Sequence, residues 1–570
     1  MRKLLERLKQ FFFPPTGTPI WLRVIPYLIL GVLTFLVLGG VNYVWEYTNS
    51  SEFCGTTCHT MPPQYSAYLQ SPHARVKCVE CHIGRDVLNT QISRKAGDLR
   101  HVVMNISKAY EYPIRAAKMR PARDSCETCH FPEKFSDDSL RHLQSYGLDE
   151  ANAREDIYLL MKTGGGTSRE GLGRGIHWHI ENEVLYLAED EEEQRIPYVR
   201  VVDVEGNVTE YYDVSVELGP QDVAGEFLER MDCITCHNRI THEISQPEVA
   251  VSQAILKGLI SQDLPFIVQQ SVSLLRGDYE DKETALEAME SLEEFYQENY
   301  PEVYNEQMDD IQQAILILQD IYAQSVFPEQ KSDWDTHSNN MGHRYDSGCF
   351  RCHDGKHLSV EGEAIRLECN ICHSIPVLGD PTGLTTEIEL VSGPEPFSHT
   401  LTNWMTLHGK AKDNTCTACH TTPAGYENLE GKPPPDDSFC GNQACHAPVW
   451  THTGFNSPEL EPILEQQLEF LLNTSPFLLE GTPRNYTETF SSIFEGRCNA
   501  CHSGEGAMSD LDLSTYGGLL AGGVSGPGVV PGDAEASVVY QRQQEGDHFG
   551  QMLADEIIAL LEWILEGAPE

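Results

Sequence analysis

The sequence predicts a mostly α-helical protein with sparse regular secondary structure and a single N-terminal transmembrane helix. Three observations support this class. The 18 cysteines fall into nine Cys-spacer-Cys-His units, which leaves about 63 of the 570 residues for each unit. Residues 24–45 form one uncharged apolar stretch. Between the units, apolar residues repeat at helical spacing, and only one short segment favours a β-hairpin.

All cysteines of the chain belong to these units, and a histidine directly follows each second cysteine. Seven units have two spacer residues, while the first has three and the eighth has four. The units are Cys54, Cys58 and His59; Cys78, Cys81 and His82; Cys126, Cys129 and His130; Cys233, Cys236 and His237; Cys349, Cys352 and His353; Cys369, Cys372 and His373; Cys416, Cys419 and His420; Cys440, Cys445 and His446; and Cys498, Cys501 and His502.

Cys-x-x-Cys-His is the attachment signature of c-type haem. The two sulfurs bond covalently to the porphyrin, and the histidine is delivered to the iron as proximal ligand. Structural zinc usually takes four protein ligands and does not need a histidine after each cysteine pair. A disulfide framework would leave those histidines unexplained. The sequence therefore predicts nine covalently bound haem c groups, with a bulged loop in the two units that have longer spacers.

The opposite face of each iron needs a ligand from elsewhere, and 13 of the 22 histidines lie outside the units. We expect axial ligands among the histidines close to a unit, which are His73, His242, His343, His357, His408 and His452. One member of the pair His177 and His179 is a further candidate, and His179 is preferred. The less favoured candidates are His101, His142, His337 and His399.

The ligand of the last haem has a functional consequence. His548 and Met552 compete for it, with Met508 a more distant alternative, and we prefer His548. Methionine raises the haem potential relative to two histidines. A histidine would therefore suit a low-potential relay, and a methionine a higher-potential exit.

The apolar stretch Val24–Trp45 has 22 residues without a charge, enough to cross a hydrocarbon core about 30 Å thick. It is longer than the core of a cleaved signal peptide, which is the alternative reading. Five basic residues precede it, namely Arg2, Lys3, Arg7, Lys9 and Arg23. The positive-inside rule then predicts a single-pass protein with a cytoplasmic N-terminus and the haem units on the outer, extracytoplasmic side.

The formal net charge of −46 excludes nucleic-acid binding, which rests on lysine and arginine neutralising phosphates. An acidic surface instead favours solubility and steers basic partners. We therefore expect any extracytoplasmic redox partner to be basic.

The segment after the apolar stretch carries a family resemblance. Residues 51–62 and 68–82 hold the first two units, and residues 126–130 and 233–242 hold the next two. Over about residues 15–245 the chain resembles the NapC/NirT family of membrane-anchored multihaem quinol dehydrogenases. The resemblance implies that the protein oxidises membrane quinol, either menaquinol or ubiquinol, and passes electrons to an outside partner. It also implies Met61 as a candidate ligand of the first haem, Lys95 and Asp98 as quinol-site residues, and Asp86 as an alternative acid.

The rest of the chain divides by composition. We expect a basic segment over 1–20, the membrane helix over 21–45, a tetrahaem domain over 46–250 with a β insertion near 180–215, and a helical spacer over 251–330. A second four-haem region follows over 331–455, and a monohaem domain over 456–570. The last part, about 485–570, resembles the small α-helical planctomycete-type cytochrome c domains.

Three functions remain open at this level. In the first, the chain is an electron conduit from quinol to an extracytoplasmic acceptor. In the second, it is a terminal reductase of the nitrite or hydroxylamine type fused to its own quinol dehydrogenase, which would need an iron with an open face. A third, minor possibility makes the C-terminal domain a docking module for a reductase subunit.

Overall fold

The computed structural model divides into two compact units, each discontinuous in sequence. The first comprises residues 1–130, 149–151 and 239–337, and the second comprises 131–148, 152–238 and 338–570. The structure describes residues 9–570 except 85–86, 98, 117–118, 132–137, 165–174, 204, 368, 375, 380–401, 404, 408–451, 456, 474, 479–480, 500, 505, 547 and 549.

The first compact unit begins with the anchor helix, Ile20–Thr48, which contains the predicted apolar stretch and extends it at both ends. It is long and apolar enough to cross a membrane, and most of its side chains are exposed. Pro26 is tolerated inside it near the N-terminal end. Asn49 is its C-cap residue. The next helix begins at Ser51, and its N-cap residue Ser50 accepts a hydrogen bond from Phe53 N through its side chain.

Short helices then carry the first three haem units of this part of the chain. They are Ser51–Thr56, Pro62–Gln70, Cys78–His82, Leu88–Gly97, Leu99–Ser107 and Ala122–Ser125, with a 3₁₀ turn at Cys126–Thr128. Such short elements suit a region in which much of the interior is porphyrin rather than side chain.

A helical core completes the first unit. Its members are Pro247–Leu256, Ile267–Leu275, Lys282–Ala288, Ser291–Asn299, Pro301–Glu306 and Met308–Ser325, followed by a 3₁₀ turn at Pro328–Gln330. The longest helix buries Ile311, Ile315, Leu318 and Tyr322, as their three-to-four spacing predicts. It packs against the helix Pro62–Gln70, where Ser66 Oγ donates to the carbonyl of Gln324 over 2.9 Å. The predicted spacer therefore packs against the helix that follows the first haem unit.

The second compact unit contains two antiparallel sheets. One has the order β1-β2-β8, with β1 at Ser139–Tyr146, β2 at Arg154–Met161 and β8 at Val377–Gly379. The other has the order β6-β3-β4-β5-β7, with β3 at Glu183–Leu187, β4 at Tyr198–Val202, β5 at Val208–Asp213, β6 at Glu229–Arg230 and β7 at His357–Leu358. The predicted β segment near 180–215 is confirmed as β3, β4 and β5, and the other sheet is additional to the prediction.

Short helical elements connect these sheets and carry further haem units. They are Trp178–Glu181, Pro220–Val223, Cys233–Cys236 and Cys369–Cys372, with a 3₁₀ turn at Gly348–Arg351. The C-terminal part has its own core, which surrounds Phe490, Phe494, Leu560 and Trp563. Its elements are Glu461–Asn473, a π turn at Tyr486–Phe490, Ser491–Arg497, a 3₁₀ turn at Met508–Asp510, Tyr516–Ala521, Val538–Glu545 and the closing helix Ala554–Leu565.

Candidate haem-binding sites

Each described unit with two spacer residues folds as a single helical turn. The amide of the unit histidine donates to the carbonyl of the first cysteine, over 2.8 Å at His130 and His237, 3.0 Å at His353 and 2.9 Å at His502. One turn places residues three apart on the same face, with Cβ atoms about 5–6 Å apart. Both sulfurs of a unit therefore face the same side, and the histidine follows directly after them.

The first haem unit, with its three-residue spacer, begins inside a helix and ends beyond it. Cys54 lies inside the helix Ser51–Thr56, and Cys58 lies just beyond its C-cap residue, Thr57. The extra spacer residue of this unit therefore lies where the helix ends.

Five unit histidines lie beside a histidine from elsewhere in the chain. The pairs and the distances between their ring centres are His130 with His73 (6.0 Å), His82 with His242 (6.2 Å), His353 with His179 (5.7 Å), His373 with His343 (6.3 Å) and His502 with His548 (6.0 Å). Each of the five partners is a histidine that the sequence predicts as an axial ligand.

The spacing of these pairs fits one iron between two imidazoles. Metal–nitrogen bonds of about 2 Å on each side place the two ring centres about 6 Å apart. Direct packing of two imidazole rings does not require this recurrent distance between a unit histidine and a distant one. The donor set therefore fits haem with histidine on both faces at five units.

Hydrogen bonds at Nδ1 orient several of these rings. The Nδ1 of His502 lies 3.0 Å from the carbonyl of Met508, and the Nδ1 of His373 lies 2.6 Å from that of Ser374. His179 and His242 make the same kind of contact, with the carbonyls of Ile176 at 2.8 Å and Gln64 at 3.1 Å. A carbonyl only accepts, so Nδ1 carries the proton and Nε2 keeps its lone pair for iron.

Burial favours the neutral form that binds a metal. It is the main cause that lowers the pKa of His242 to about 4, with the charges of Arg239 and His82 adding to it. Burial and the neighbouring His179 lower the pKa of His353 to about 4 as well. Because a metal competes with protons for the ring nitrogen, a depressed pKa keeps these ligands available.

His357 has partners that do not fit its predicted role as an axial ligand. Its ring is 1% exposed, with Nδ1 at 2.9 Å from Asp354 Oδ1 and Nε2 at 2.6 Å from the carbonyl of Ile196. Lys356 Nζ lies 2.8 Å from Asp213 in the same cluster. Both ring nitrogens face acceptors, so neither offers a lone pair to iron. The structure assigns His357 to an ion-pair cluster that joins β7 to the segment before β4.

Other predicted ligands have less defined surroundings. Met61 is the N-cap residue of the helix Pro62–Gln70, two positions after His59. His452 is half-buried, and its charge lowers the pKa of His343 together with burial and His373. Met552 is buried in the C-terminal apolar core and Met508 is 61% exposed, whereas His548 faces His502.

Two features near the units are not evident from sequence patterns. The Nδ1 of His237 lies 2.9 Å from the sulfur of Met341, where other unit histidines contact a carbonyl. His337 has a buried Nε2 without a hydrogen-bond partner among the described residues, and burial lowers its pKa to about 4. His337 is thus a further ligand candidate, in a place that sequence distance to a unit underrates.

Neighbouring units lie close together within each compact unit. The side chains of Cys54 and Cys78 lie within hydrogen-bond reach of each other, so the first two haem units adjoin. Cys81 of the second haem unit lies close to Cys126 of the third. In the second compact unit, Cys349 likewise lies close to Cys236. The first three haem units therefore form one series, and the fourth and fifth haem units form another.

Lys95 lies where the anchor helix meets the first haem unit. Its Nζ donates to the carbonyl and to Oγ1 of Thr48, over 3.2 and 3.1 Å, and lies 4.6 Å from the ring centre of Trp45. Burial lowers its pKa. Beside it is an open cavity of about 340 Å³ on the anchor helix, lined by Val37, Gly40, Val41, Val44, Trp45 and Thr48.

A second cavity, of about 440 Å³, lies beside the histidine of the first unit. Tyr112 Oη is 3.1 Å from His59 Nδ1, and Gln330 Nε2 donates to the carbonyl of His59 over 2.8 Å. The lining residues are His59, Lys108, Tyr110, Tyr112, Glu329 and Gln330. Because it adjoins the unit histidine, this space suits the first haem itself.

Several predicted residues lie outside the described residues. They are Asp86, Asp98, His399, His408 and the complete seventh and eighth units. Of the sixth unit, the backbone turn, Cys372 and His373 are described, while the side chain of Cys369 is not.

Comparison with known proteins identifies two regions of the chain. Residues 20–122 match the N-terminal region of the NapC/NirT cytochrome c family, and residues 498–552 match planctomycete cytochrome c. Both matches fall within the stretches that the sequence motifs indicate and are shorter than them. No solved structure matches the chain.

Curated relatives extend the likeness. The cytochrome c-type protein ImcH of Geobacter sulfurreducens is 40% identical over 359 residues, which cover 62% of this chain and 70% of ImcH. The cytochrome c-type protein NrfH of Wolinella succinogenes is 29% identical over 105 residues, 18% of this chain and 58% of NrfH. The denitrification system component NirT of Stutzerimonas stutzeri is 29% identical over 150 residues, 23% of this chain and 73% of NirT.

The anchor helix, the attachment turns and these likenesses define a membrane-anchored multihaem c-type cytochrome. Within this class, the chain belongs to the family of c-type cytochromes that includes ImcH, whose N-terminal region is of the NapC/NirT type. Its cofactor is covalently bound haem c.

Proposed function

We propose that this protein oxidises membrane quinol and relays the electrons along nine haem c groups to an extracytoplasmic acceptor. The observation that carries the proposal is the position of Lys95, between the end of the anchor helix and the cysteines of the first haem unit. Haem c, when bound, supplies a one-electron carrier. Oxidation of one quinol releases two electrons and two protons, so the site needs a proton acceptor as well as an electron acceptor.

Lys95 meets the chemical requirement for binding a quinol headgroup. An ammonium with a lowered pKa loses its proton more readily than an exposed lysine, and the neutral amine accepts a proton from a quinol hydroxyl. The adjoining cavity is lined almost entirely by apolar side chains of the anchor helix, which suits a quinol ring that arrives from the lipid. Asp98, the acid that the resemblance implies, remains part of the proposal.

The histidine pairs support a relay function. We assign His73, His179, His242, His343 and His548 as distal ligands of the third, fifth, second, sixth and ninth units, in that order. An iron closed on both faces has no position for a substrate, while its geometry changes little between oxidation states. The reductase alternative would need an open iron, and these five units do not offer one.

The test uses the full chain in nanodiscs under anaerobic conditions, with a menaquinol analogue as reductant and haem absorption as the readout. We expect rapid haem reduction by the wild type and a loss of about 10²-fold in rate for Lys95→Gln, as for removal of a general base. Lys77→Gln is the matched control, since the Lys77 side chain is half-exposed and forms a surface ion pair with Glu46 over 3.4 Å. Haem reduction by dithionite should be the same in all three proteins.

The opposite result is equally clear. If the wild type is not reduced by the quinol analogue but is reduced by dithionite, the quinol proposal is wrong. If Lys95→Gln is reduced as fast as the wild type, quinol oxidation stands and the assignment of Lys95 fails.

A further inference from the structure

A pair of helices after the second haem unit presents an apolar stripe to the surroundings. The second of them, Leu99–Ser107, is called the surface helix here. Val102, Val103 and Ile106 on it are 51%, 65% and 78% exposed. Residues three and four apart lie on one face of a helix, so these side chains form a single stripe. Large apolar side chains exposed together mark an interaction surface.

The same segment is basic in a strongly acidic protein. Residues 88–108 contain Arg94, Lys95, Arg100 and Lys108 against the single acidic residue Asp98, whereas the whole chain has a formal charge of −46. Arg100 and Lys108, at the two ends of the surface helix, are both exposed. An apolar stripe flanked by basic residues is the pattern of helices that lie in a membrane interface.

The contacts of the preceding helix, Leu88–Gly97, place this segment beside the anchor helix. Lys95 Nζ donates to Thr48 at the C-terminal end of the anchor helix, over 3.2 Å, and lies over the Trp45 ring. Interfacial tryptophans mark the level of the lipid headgroups. Arg94 donates to the carbonyl of Ile83 over 2.8 Å, which ties the same helix to the second haem unit. The surface helix is therefore continuous with the membrane-facing surface of the anchor.

We propose that the surface helix lies flat on an anionic phospholipid bilayer. Val102, Val103 and Ile106 enter the boundary between headgroups and acyl chains, while Arg100 and Lys108 bind the phosphate groups. An anionic membrane surface attracts basic juxtamembrane residues, and it repels the acidic remainder of this chain. This second attachment, in addition to the anchor helix, fixes the height and tilt of the first haem unit above the membrane. The proposal does not depend on quinol as the electron donor.

The test is photo-crosslinking of the full-length holoprotein in nanodiscs that contain a photoactivatable phosphatidylglycerol. Lipid adducts are mapped by mass spectrometry. We expect adducts on peptides from 20–48, which serve as the internal reference, and also on peptides from 99–107. The variant with Val102→Ser, Val103→Ser and Ile106→Ser should lose adducts on 99–107 by about tenfold, with those on 20–48 unchanged.

A matched control carries three serines at apolar positions of the other compact unit that are at least three-quarters exposed, Phe227→Ser, Val360→Ser and Val524→Ser, and should crosslink like the wild type. Haem absorption and haem content establish that each variant is folded. In the variant Arg100→Gln, adducts on 99–107 should depend less on whether the surrounding lipid is phosphatidylglycerol or phosphatidylcholine. Adducts confined to 20–48 in the wild type would overturn the proposal, as would crosslinks from 99–107 to a second protein chain in place of lipid.

Discussion

At the residue scale, the histidines show what sequence distance predicts and what it does not. His73, His242 and His343 stand near a unit in sequence, and each lies beside a unit histidine. The pairing itself was not predictable, since His242 meets His82 across 160 positions of the chain. Such a pairing depends on the tertiary fold, for which the local sequence carries no signal.

His357 shows the opposite failure. Closeness to a unit favoured it as a ligand, but the chain folds it into a cluster of opposite charges. The local signal was the sequence Asp354-Gly-Lys356-His357, in which two cations adjoin an acid that can bind them. A histidine beside acidic residues is an ion-pair candidate before it is a haem ligand.

The charge of His357 leads to a pH prediction. Burial alone would lower its pKa, but the hydrogen bond and charge of Asp354, with the Ile196 carbonyl and Asp213, raise it above its usual value. A histidine with a raised pKa stabilises the folded state fully below the unfolded value of about 6.5, and this contribution is lost as the pH rises through the folded value. We expect His357→Gln to cost about 1.5–3 kcal/mol below pH 6.5 and progressively less at higher pH.

The measurement is unfolding of the holoprotein as a function of pH, with the wild type and the variant compared at each point. Lys257→Gln, at an exposed lysine, is the control and should leave the profile unchanged. A difference between wild type and His357→Gln that grows with pH would contradict a charged His357.

The last haem offers a second test at a single residue. His548 faces His502 at 6.0 Å, whereas Met552 is packed in the apolar core. We expect His548→Ala to convert this haem to the high-spin, five-coordinate form, and His548→Met to raise its potential, because methionine ligation favours the reduced iron. Electron paramagnetic resonance and a redox titration of haem absorption report these changes. Met552→Leu should alter neither signal, and a high-spin haem in Met552→Leu would reverse the assignment.

At the scale of elements, the sequence predicts helices better than sheets. The helix Met308–Ser325 has a regular apolar stripe that is buried as expected. Strand β1, by contrast, has a mostly exposed, polar sequence, and it pairs with β2 over eight residues. Strand β8 joins β2 from more than 200 residues away. Neither strand has the alternation of apolar residues on which a sequence-based prediction of strands depends.

The closing helix carries a buried ion pair that sequence patterns do not reveal. Glu556 is fully buried, lies 2.7 Å from Arg497, which directly precedes Cys498, and accepts hydrogen bonds from Leu553 N and Ser475 Oγ. Removal of one member of a buried pair leaves the other charge uncompensated, which costs about 3–5 kcal/mol. We expect Glu556→Ala to destabilise the C-terminal region by this amount.

Denaturant unfolding of the holoprotein, followed at the haem absorption, measures the effect. Glu566→Ala, at an exposed position beyond the same helix, is the control and should change stability by less than about 0.5 kcal/mol. Replacement of both partners by apolar residues, Arg497→Met with Glu556→Leu, should cost less than Glu556→Ala alone. If the double variant is the less stable of the two, the burial of charge is not the cause.

At the scale of the whole molecule, the division between the compact units separates the third haem unit from the fourth. The first three units and the helical core share one compact unit, and the fourth unit joins the fifth in the other. A contiguous tetrahaem domain over 46–250 was the natural prediction, because the motif resemblance runs through those residues. Strands β2 and β5 of this stretch pair with β8 and β7, which lie beyond residue 338.

The number of haems is the property of the whole molecule on which the relay depends. All 18 cysteines belong to a unit, and the described units with two spacer residues share one local geometry, so we expect each unit to hold a haem, including the eighth with its four-residue spacer. We expect the intact mass of the mature holoprotein to exceed that of its polypeptide by nine haems. Cys440→Ala with Cys445→Ala should reduce the number to eight, as should Cys498→Ala with Cys501→Ala in a unit of ordinary spacing. Eight haems in the wild type, with no loss on substitution of Cys440 and Cys445, would show that the longest spacer does not support attachment and that the relay has one step fewer.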